Sequence, residues 1–237
     1  MLATLSTARV VRGLLAGSYL MPMAWRRRQQ QRLRRLCAST RSLVLTYDDG
    51  PGPRVTLSLL ALLRARGVQA TFFVTGARAA AHPELVDAIE QDGHEIGCHT
   101  QDHLNHWRVP PPQAIADIRA GYRTLAQWVP PDGLFRPPYG KLTLDTWATL
   151  RRRPASIAWW TITAGDVRRV LPQPEEAARQ AQRHGGGVVL LHDSHRERRR
   201  AAFVLESTET LLDAAAHEGY TVRTFGALLH AGGQCAC

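Results

Sequence analysis

Strand-like and helix-like segments alternate along this chain about seven times, with short connections between them. Short apolar runs rich in β-branched and aromatic residues begin at Leu43, Gln69, His94, Gly133, Ser156, Gly187 and Tyr220. Between them, apolar residues recur at helical spacing, as with Val55, Leu59, Leu62 and Leu63 in the first such segment. Helices are expected over about 54–66, 83–93, 113–128, 144–152, 174–184 and 203–217. Gly67 and Pro83 punctuate the chain where a helix should stop or start. Regular alternation of this kind buries a parallel sheet under helices, as an α/β barrel or a doubly wound layer.

The polar clusters fall at particular places in that pattern. Asp48-Asp49, His99 to His103, Arg136 to Tyr139, Asp166 and His192 each follow the carboxyl end of an expected strand. In a parallel barrel those ends share one face, so the clusters should converge. Asp48 and Asp49 are adjacent carboxylates before a Gly50-Pro51 turn, and a cation relieves the repulsion between such neighbours. His99 and His103 stand four apart, and two imidazoles with one Asp oxygen make a three-ligand set that leaves positions open, as catalytic metal sites do. His82, His94, His106, His184, His195, His217 and His230 read as caps or surface residues. Taken singly, His192 reads equally as a caged core histidine, Arg136 as a loop cation and Asp166 as a turn cap.

The whole chain carries a net charge of +10 over 237 residues, which invites a nucleic-acid reading. The distribution of charge argues against it. Residues 1–41 hold nine arginines and no acid, leaving 21 basic against 20 acidic residues in the nearly neutral remainder. Within the leader, an apolar stretch from Val10 to Trp25, interrupted by Arg12, Gly13, Gly17 and Pro22, precedes the basic run Arg26 to Arg35. It is shorter than the roughly 20 residues of a spanning helix, and the order of charge is the reverse of a secretory signal. Two readings stay open for it: a segment lying on an acidic membrane surface, or a disordered basic extension. A cytoplasmic or membrane-surface location is accordingly expected ahead of classical secretion. Residues 1–41 are read as separable from a domain over 42–230, with 231–237 as a tail. Cys37, Cys98, Cys235 and Cys237 form no spaced framework.

Four motifs, Thr46-Tyr-Asp-Asp-Gly-Pro51, His99-Thr-Gln-Asp-His103, Arg136-Pro-Pro-Tyr139 and Leu191-His-Asp193, resemble in order and spacing those of the NodB-type polysaccharide deacetylases, carbohydrate esterase family 4. The match runs from about Ser42 to Gly226. The resemblance implies a distorted parallel (β/α) barrel of about seven strands, with an open groove and a divalent cation, commonly zinc. It implies Asp49, His99 and His103 as metal ligands, Asp48 as general base and His192 as general acid. Arg136 would hold Asp48, Asp166 would orient and tune His192, the Tyr139 backbone N–H would help form an oxyanion hole, and Leu190 would line the acetyl methyl. The implied reaction removes N-acetyl groups from glycans containing N-acetylglucosamine. Hydrolysis of small non-peptide amides on the same scaffold and a non-catalytic glycan-binding or membrane-associated role are the alternatives. One motif departs from the family pattern: where the family carries Asp-x-x-Asp-Trp, this chain reads Thr163-Ala-Gly-Asp-Val167.

Overall fold

The computed structural model describes residues 4–152, 156–194 and 197–233. Six parallel strands form one sheet: β1 (Ser42–Asp48), β2 (Thr71–Val74), β3 (Glu95–Cys98), β4 (Ile162–Thr163), β5 (Gly187–His192) and β6 (Thr221–Arg223), in the order β3-β2-β1-β5-β4, with β6 beside the start of β1. All seven residues of β1 are buried, as befits a central strand covered on both sides.

Two expected strands are abbreviated. Gly133–Phe135 is reduced to a single parallel bridge at Phe135, which links Cys98 on one side to Ile157 on the other. The expected strand over 156–160 pairs at Ile157, then resumes only at β4. Between those points the carbonyls of Trp160 and Thr161 accept side-chain hydrogen bonds from Gln30 and Arg34, while the Thr161 N–H bonds the Val188 carbonyl of β5. Because 157 pairs with 135 and 162–163 pair with β5, the backbone ladder runs round a closed ring. This is the distorted barrel, and it brings the carboxyl ends of its staves together.

The helices are α1 (Thr4–Ser39), α2 (Thr56–Ala65), α3 (Gly76–Ala81), α4 (Pro83–Gln91), α5 (Pro111–Thr124), α6 (Leu144–Arg151), α7 (Glu175–His184), α8 (Arg198–Glu218) and α9 (Phe225–Ala231). Local chemistry sets several of their ends. Thr143 and Thr146 close a reciprocal capping box at the start of α6. In α7, Glu175 and Glu176 stand in the first turn and Arg183 and His184 in the last, complementing the helix dipole, and Gly185 ends it at φ +71°. Helices α1, α3 and α9 were not among those expected from periodicity.

The largest departure from expectation is α1. The leader is one helix through Pro22. Leu33 and Cys37 within it lie in the hydrophobic core, and α1 packs against β1, β5 and α6. Trp25 meets Trp147 and Trp159 edge-on at 6.2 and 6.0 Å. His94 and His106, expected at the surface or as caps, are buried. His94 Nδ1 accepts the Ala70 N–H at 3.2 Å, and burial holds its pKa below the usual value. His195, Cys235 and Cys237 lie outside the described residues.

Candidate active site

The end of β1 divides its two carboxylates by strand geometry. Asp48 is the last residue of the strand and is almost wholly buried. Asp49 turns at φ +68°, a conformation that Asp tolerates better than most residues, and both carboxylates approach His99 Nε2, Asp49 at 3.2 Å and Asp48 at 3.8 Å. The turn beyond is tightly held. Gly52 N–H donates to Thr56 Oγ1, and Thr56 donates to Asp193 Oδ2 at 2.6 Å. A Cβ on Gly50 would lie 2.1 Å from Asp193 Oδ1, so only glycine fits beneath that carboxyl. Burial pushes the Asp193 carboxyl up to about 6, against the Thr56 hydrogen bond that favours its ionised form.

The loop after β3 is held from two sides. The first N–H groups of α3, on Gly76 and Ala77, bond the carbonyls of Thr100 and Gln101. From α5, Asp117 accepts the N–H groups of Asp102 and Leu104 at 2.8 and 3.3 Å. Helix α5 comes so close at Gly121 that a Cβ there would sit 2.5 Å from the Thr100 carbonyl carbon. Thr100 and His103 both take positive φ, at 67° and 55°, which returns the chain so that both histidines face one point.

Asp49, His99 and His103 there form a cluster whose ligand atoms all lie within 4.8 Å of one another. Asp49 Oδ1 is 3.2 Å from His99 Nε2 and 3.1 Å from His103 Nε2, yet it is buried and neither approach makes a hydrogen bond. Three donor atoms aimed at a common point without bonding one another suit a divalent cation. His99 Nδ1 lies 2.7 Å from the Arg136 carbonyl, which fixes the proton on Nδ1 and frees Nε2 as a ligand. Burial works against the charge on Asp49, but the close His99 and His103 outweigh it and hold its pKa well below the usual carboxylate range. Burial lowers the pKa of His103 and so favours the neutral, ligating form.

Arg136 is fully buried, its guanidinium over the Phe73 ring at 4.0 Å. Its Nη1 donates to Asp48 Oδ1 and to Thr46 Oγ1, each at 2.7 Å. One oxygen of Asp48 is thereby pinned, and the other, Oδ2, lies 3.8 Å from His99 Nε2, beside the cluster. On the neighbouring strand β5, His192 pairs with Asp48, and Asp166 Oδ2, from the loop after β4, accepts both the His192 N–H at 2.8 Å and the Nδ1–H at 3.0 Å. That leaves Nε2 as the titrating nitrogen of His192. Burial lowers the pKa of His192, but the Asp166 hydrogen bond and charge, with Asp48 and Asp49 beyond, raise it to about 9.

Tyr139 follows at φ 57° in the short turn Pro138–Gly140, its ring 4.6 Å from that of His103. Leu190 shares a face of β5 with His192 and is 7% exposed. All nine candidate residues therefore stand at one end of the barrel. At the departing motif, Thr163 pairs with Leu190, and Val167, where the family carries an indole, is 59% exposed. Sequence reasoning assigned no task to Thr46, Thr56 or Asp193. The signal for Thr46 was available, since it lies two residues before Asp48 and so on the same strand face.

A sequence model of the polysaccharide deacetylase family matches residues 35–156. This chain belongs to that family. It is 31% identical over 189 residues to the peptidoglycan-N-acetylglucosamine deacetylase of Bacillus cereus, covering 79% of this chain and 87% of the relative. It is 32% identical over 160 residues to the chitooligosaccharide deacetylase of a Bradyrhizobium species, covering 67% and 73% respectively. A family 4 carbohydrate esterase from Streptomyces lividans, solved in complex with acetate, superposes with a TM-score of 0.66 at 26% identity, over 77% of this chain and 91% of that one. These matches agree with the carbohydrate esterase assignment and with the barrel described above.

Proposed function

We propose that this polysaccharide deacetylase hydrolyses N-acetyl groups on glycans containing N-acetylglucosamine. The observation that carries the reading is the meeting, at one barrel mouth, of a three-ligand cluster, a carboxylate pinned by a buried arginine and a histidine pinned by a buried aspartate. Relatives named for N-acetylglucosamine in peptidoglycan and for chitooligosaccharide support the substrate class.

Asp49, His99 and His103 would hold the cation, with zinc the ion that a His-His-Asp set with open positions fits best. When bound, the cation supplies Lewis-acid polarisation of the acetyl carbonyl and activation of water. Asp48 takes the proton of the attacking water on Oδ2, because Oδ1 is committed to Arg136. The Tyr139 backbone N–H donates to the oxygen that becomes negative as the carbonyl carbon turns tetrahedral. His192, protonated, gives its Nε2 proton to the leaving nitrogen as the carbon–nitrogen bond breaks, and acetate and a free amine result. Leu190 lines the place of the acetyl methyl.

Among the described residues no helix is long and apolar enough to cross a membrane. Leu20 and Met21 nevertheless stand exposed on α1, one to two turns before Arg26, Arg27 and Arg28. Apolar exposure beside a basic run supports α1 lying on an acidic membrane surface, with a cell-envelope saccharide as substrate.

The test is acetate release from N-acetylchitooligosaccharides and peptidoglycan fragments by metal-stripped, zinc-restored and Asp48→Asn protein. Activity restored by zinc and lost in Asp48→Asn is expected. A stoichiometric metal without acetate release from either glycan would sink the substrate class, and absence of metal binding would sink the ligand set.

A further inference from the structure

We infer that Arg26 is a positioning residue for the turn that carries the Tyr139 amide, which makes α1 part of the catalytic apparatus. The inference rests on the deacetylase reading for its catalytic consequence and on geometry for the contact.

Three side chains at four-residue spacing form one face of α1, and each reaches a backbone carbonyl of the barrel. Arg26 Nη1 donates to the Gly140 carbonyl at 2.7 Å, Gln30 to Trp160 at 2.8 Å and Arg34 to Thr161 at 3.4 Å. The first of these meets the backbone where it is least able to hold itself. Tyr139 and Gly140 are consecutive left-handed residues, at φ 57° and 61°. Such a pair persists only where its surroundings impose it. Within the turn, the Gly140 and Lys141 N–H groups bond the carbonyls of Pro137 and Pro138, and Arg26 supplies the bond from outside.

Arg26 is itself held firmly. Its guanidinium lies 4.6 Å from the Trp160 ring centroid and 5.1 Å from that of Trp159, and Trp160 also flanks Arg136 at 5.7 Å. Among the described residues no carboxylate pairs with Arg26. A Cβ on Gly140 would fall 2.4 Å from Arg26 Nη1 and 2.7 Å from the Trp160 ring, so arginine, indole and glycine are mutually fitted. Helix α1 also touches the far side of the turn, where Tyr19 meets Trp107 edge-on at 5.3 Å and Lys141 Nζ lies 4.9 Å above the same indole. An oxyanion donor must stand about 2.7–3.1 Å from the developing charge. Misplacement by about 1 Å can cost about a hundredfold in rate. A donor on a strained turn therefore depends on what fixes the turn.

Arg26→Met keeps the aliphatic stem against the indoles and removes the donor, Arg26→Lys restores one N–H, and Arg28→Met changes an exposed residue of the same helix. Two readouts decide: amide hydrogen exchange at Gly140 and Lys141, and kcat and KM for acetate release from an N-acetylchitooligosaccharide. Arg26→Met should speed exchange at those two amides about tenfold, with β1 and β5 amides unchanged. It should lower kcat about 10- to 100-fold with little change in KM. Arg26→Lys should recover part of both effects, and Arg28→Met should match the wild type. Unchanged exchange at Gly140 and Lys141, or acceleration shared equally by β1 and β5, overturns the inference and leaves Arg26 a plain fastener of α1. If the wild type releases no acetate, the deacetylase reading falls instead, and the exchange measurement alone still decides whether Arg26 holds the turn.

Discussion

Replacing Asp166 by Asn removes one negative charge from behind His192 and leaves an amide oxygen of the same shape to accept its Nδ1–H. In the wild type, burial lowers the pKa of His192 while the Asp166 hydrogen bond and charge, with Asp48 and Asp49, raise it from 6.5 to about 9. A rise of that size corresponds to about 3 kcal/mol favouring the imidazolium. A cation held by Asp49 would offset the contribution of the nearby carboxylates, leaving Asp166 as the chief support of the charge. Loss of a carboxylate in contact is worth about 1–3 units. The acid in the reaction must be protonated, so activity falls as pH rises through the His192 pKa. In Asp166→Asn the alkaline limb of kcat/KM should therefore move down by about 1–3 units, while the acidic limb stays in place. The same shift has a stability consequence. Because the folded pKa lies above the unfolded one, His192 contributes stability in full below about 6.5, and that contribution fades as pH rises through about 9. The Tm difference between wild type and variant should accordingly be largest in acid and vanish in mild alkali. An alkaline limb that does not move in Asp166→Asn would refute the reasoning.

Other perturbations test neighbouring parts of the structure. Asp193 has a stability profile of the same sign in a lower pH window, since its folded pKa of about 6 exceeds the usual carboxylate value near 3.8. Wild-type stability should fall relative to Asp193→Asn as pH rises from about 4 to 7, by up to about 3 kcal/mol, measured by urea denaturation at each pH. Leu33→Ala should cost about 2–5 kcal/mol, because Leu33 is a core residue within the arginine-rich segment. Deleting residues 1–41 should abolish cooperative thermal unfolding, and a stable truncated domain would contradict the packing of Leu33 and Cys37. Lys141, poised between the Trp107 and Tyr139 rings at 4.9 and 5.7 Å, places a positive charge beside the turn. Lys141→Gln should raise KM for carboxylate-bearing peptidoglycan fragments several-fold and leave neutral chitooligosaccharides unaffected, as steady-state kinetics would report.

Much of this arrangement was legible in the residues because its chemistry is local. A strand that ends in Asp48-Asp49, or one that runs directly into His192, declares its position by hydrophobic pattern and turn residues alone. The barrel ring was harder to read where strands shrink to single bridges. Phe135 and Ile157 pair through one residue each, and no periodicity can register so short an element. The role of α1 was hidden for a different reason. Its arginines look like a solvated or membrane-seeking run, since net charge does not say whether a guanidinium will find a carbonyl or an indole more than a hundred residues away. The support of Asp193 on Thr56 is likewise a long-range contact that sequence spacing does not encode.

Four residues around the site, Asp49, Thr100, His103 and Tyr139, hold backbone conformations that their own side chains disfavour. Each costs about 1 kcal/mol or more, and glycine or asparagine would relieve much of it. Selection for hydrolysis is then what keeps the present residues in place against a steady pull toward easier ones. A duplicated copy released from that selection would drift at these positions first, growing more heat-stable as it lost the ability to act. In such a copy, glycine or asparagine at any of these four positions is the change to look for first.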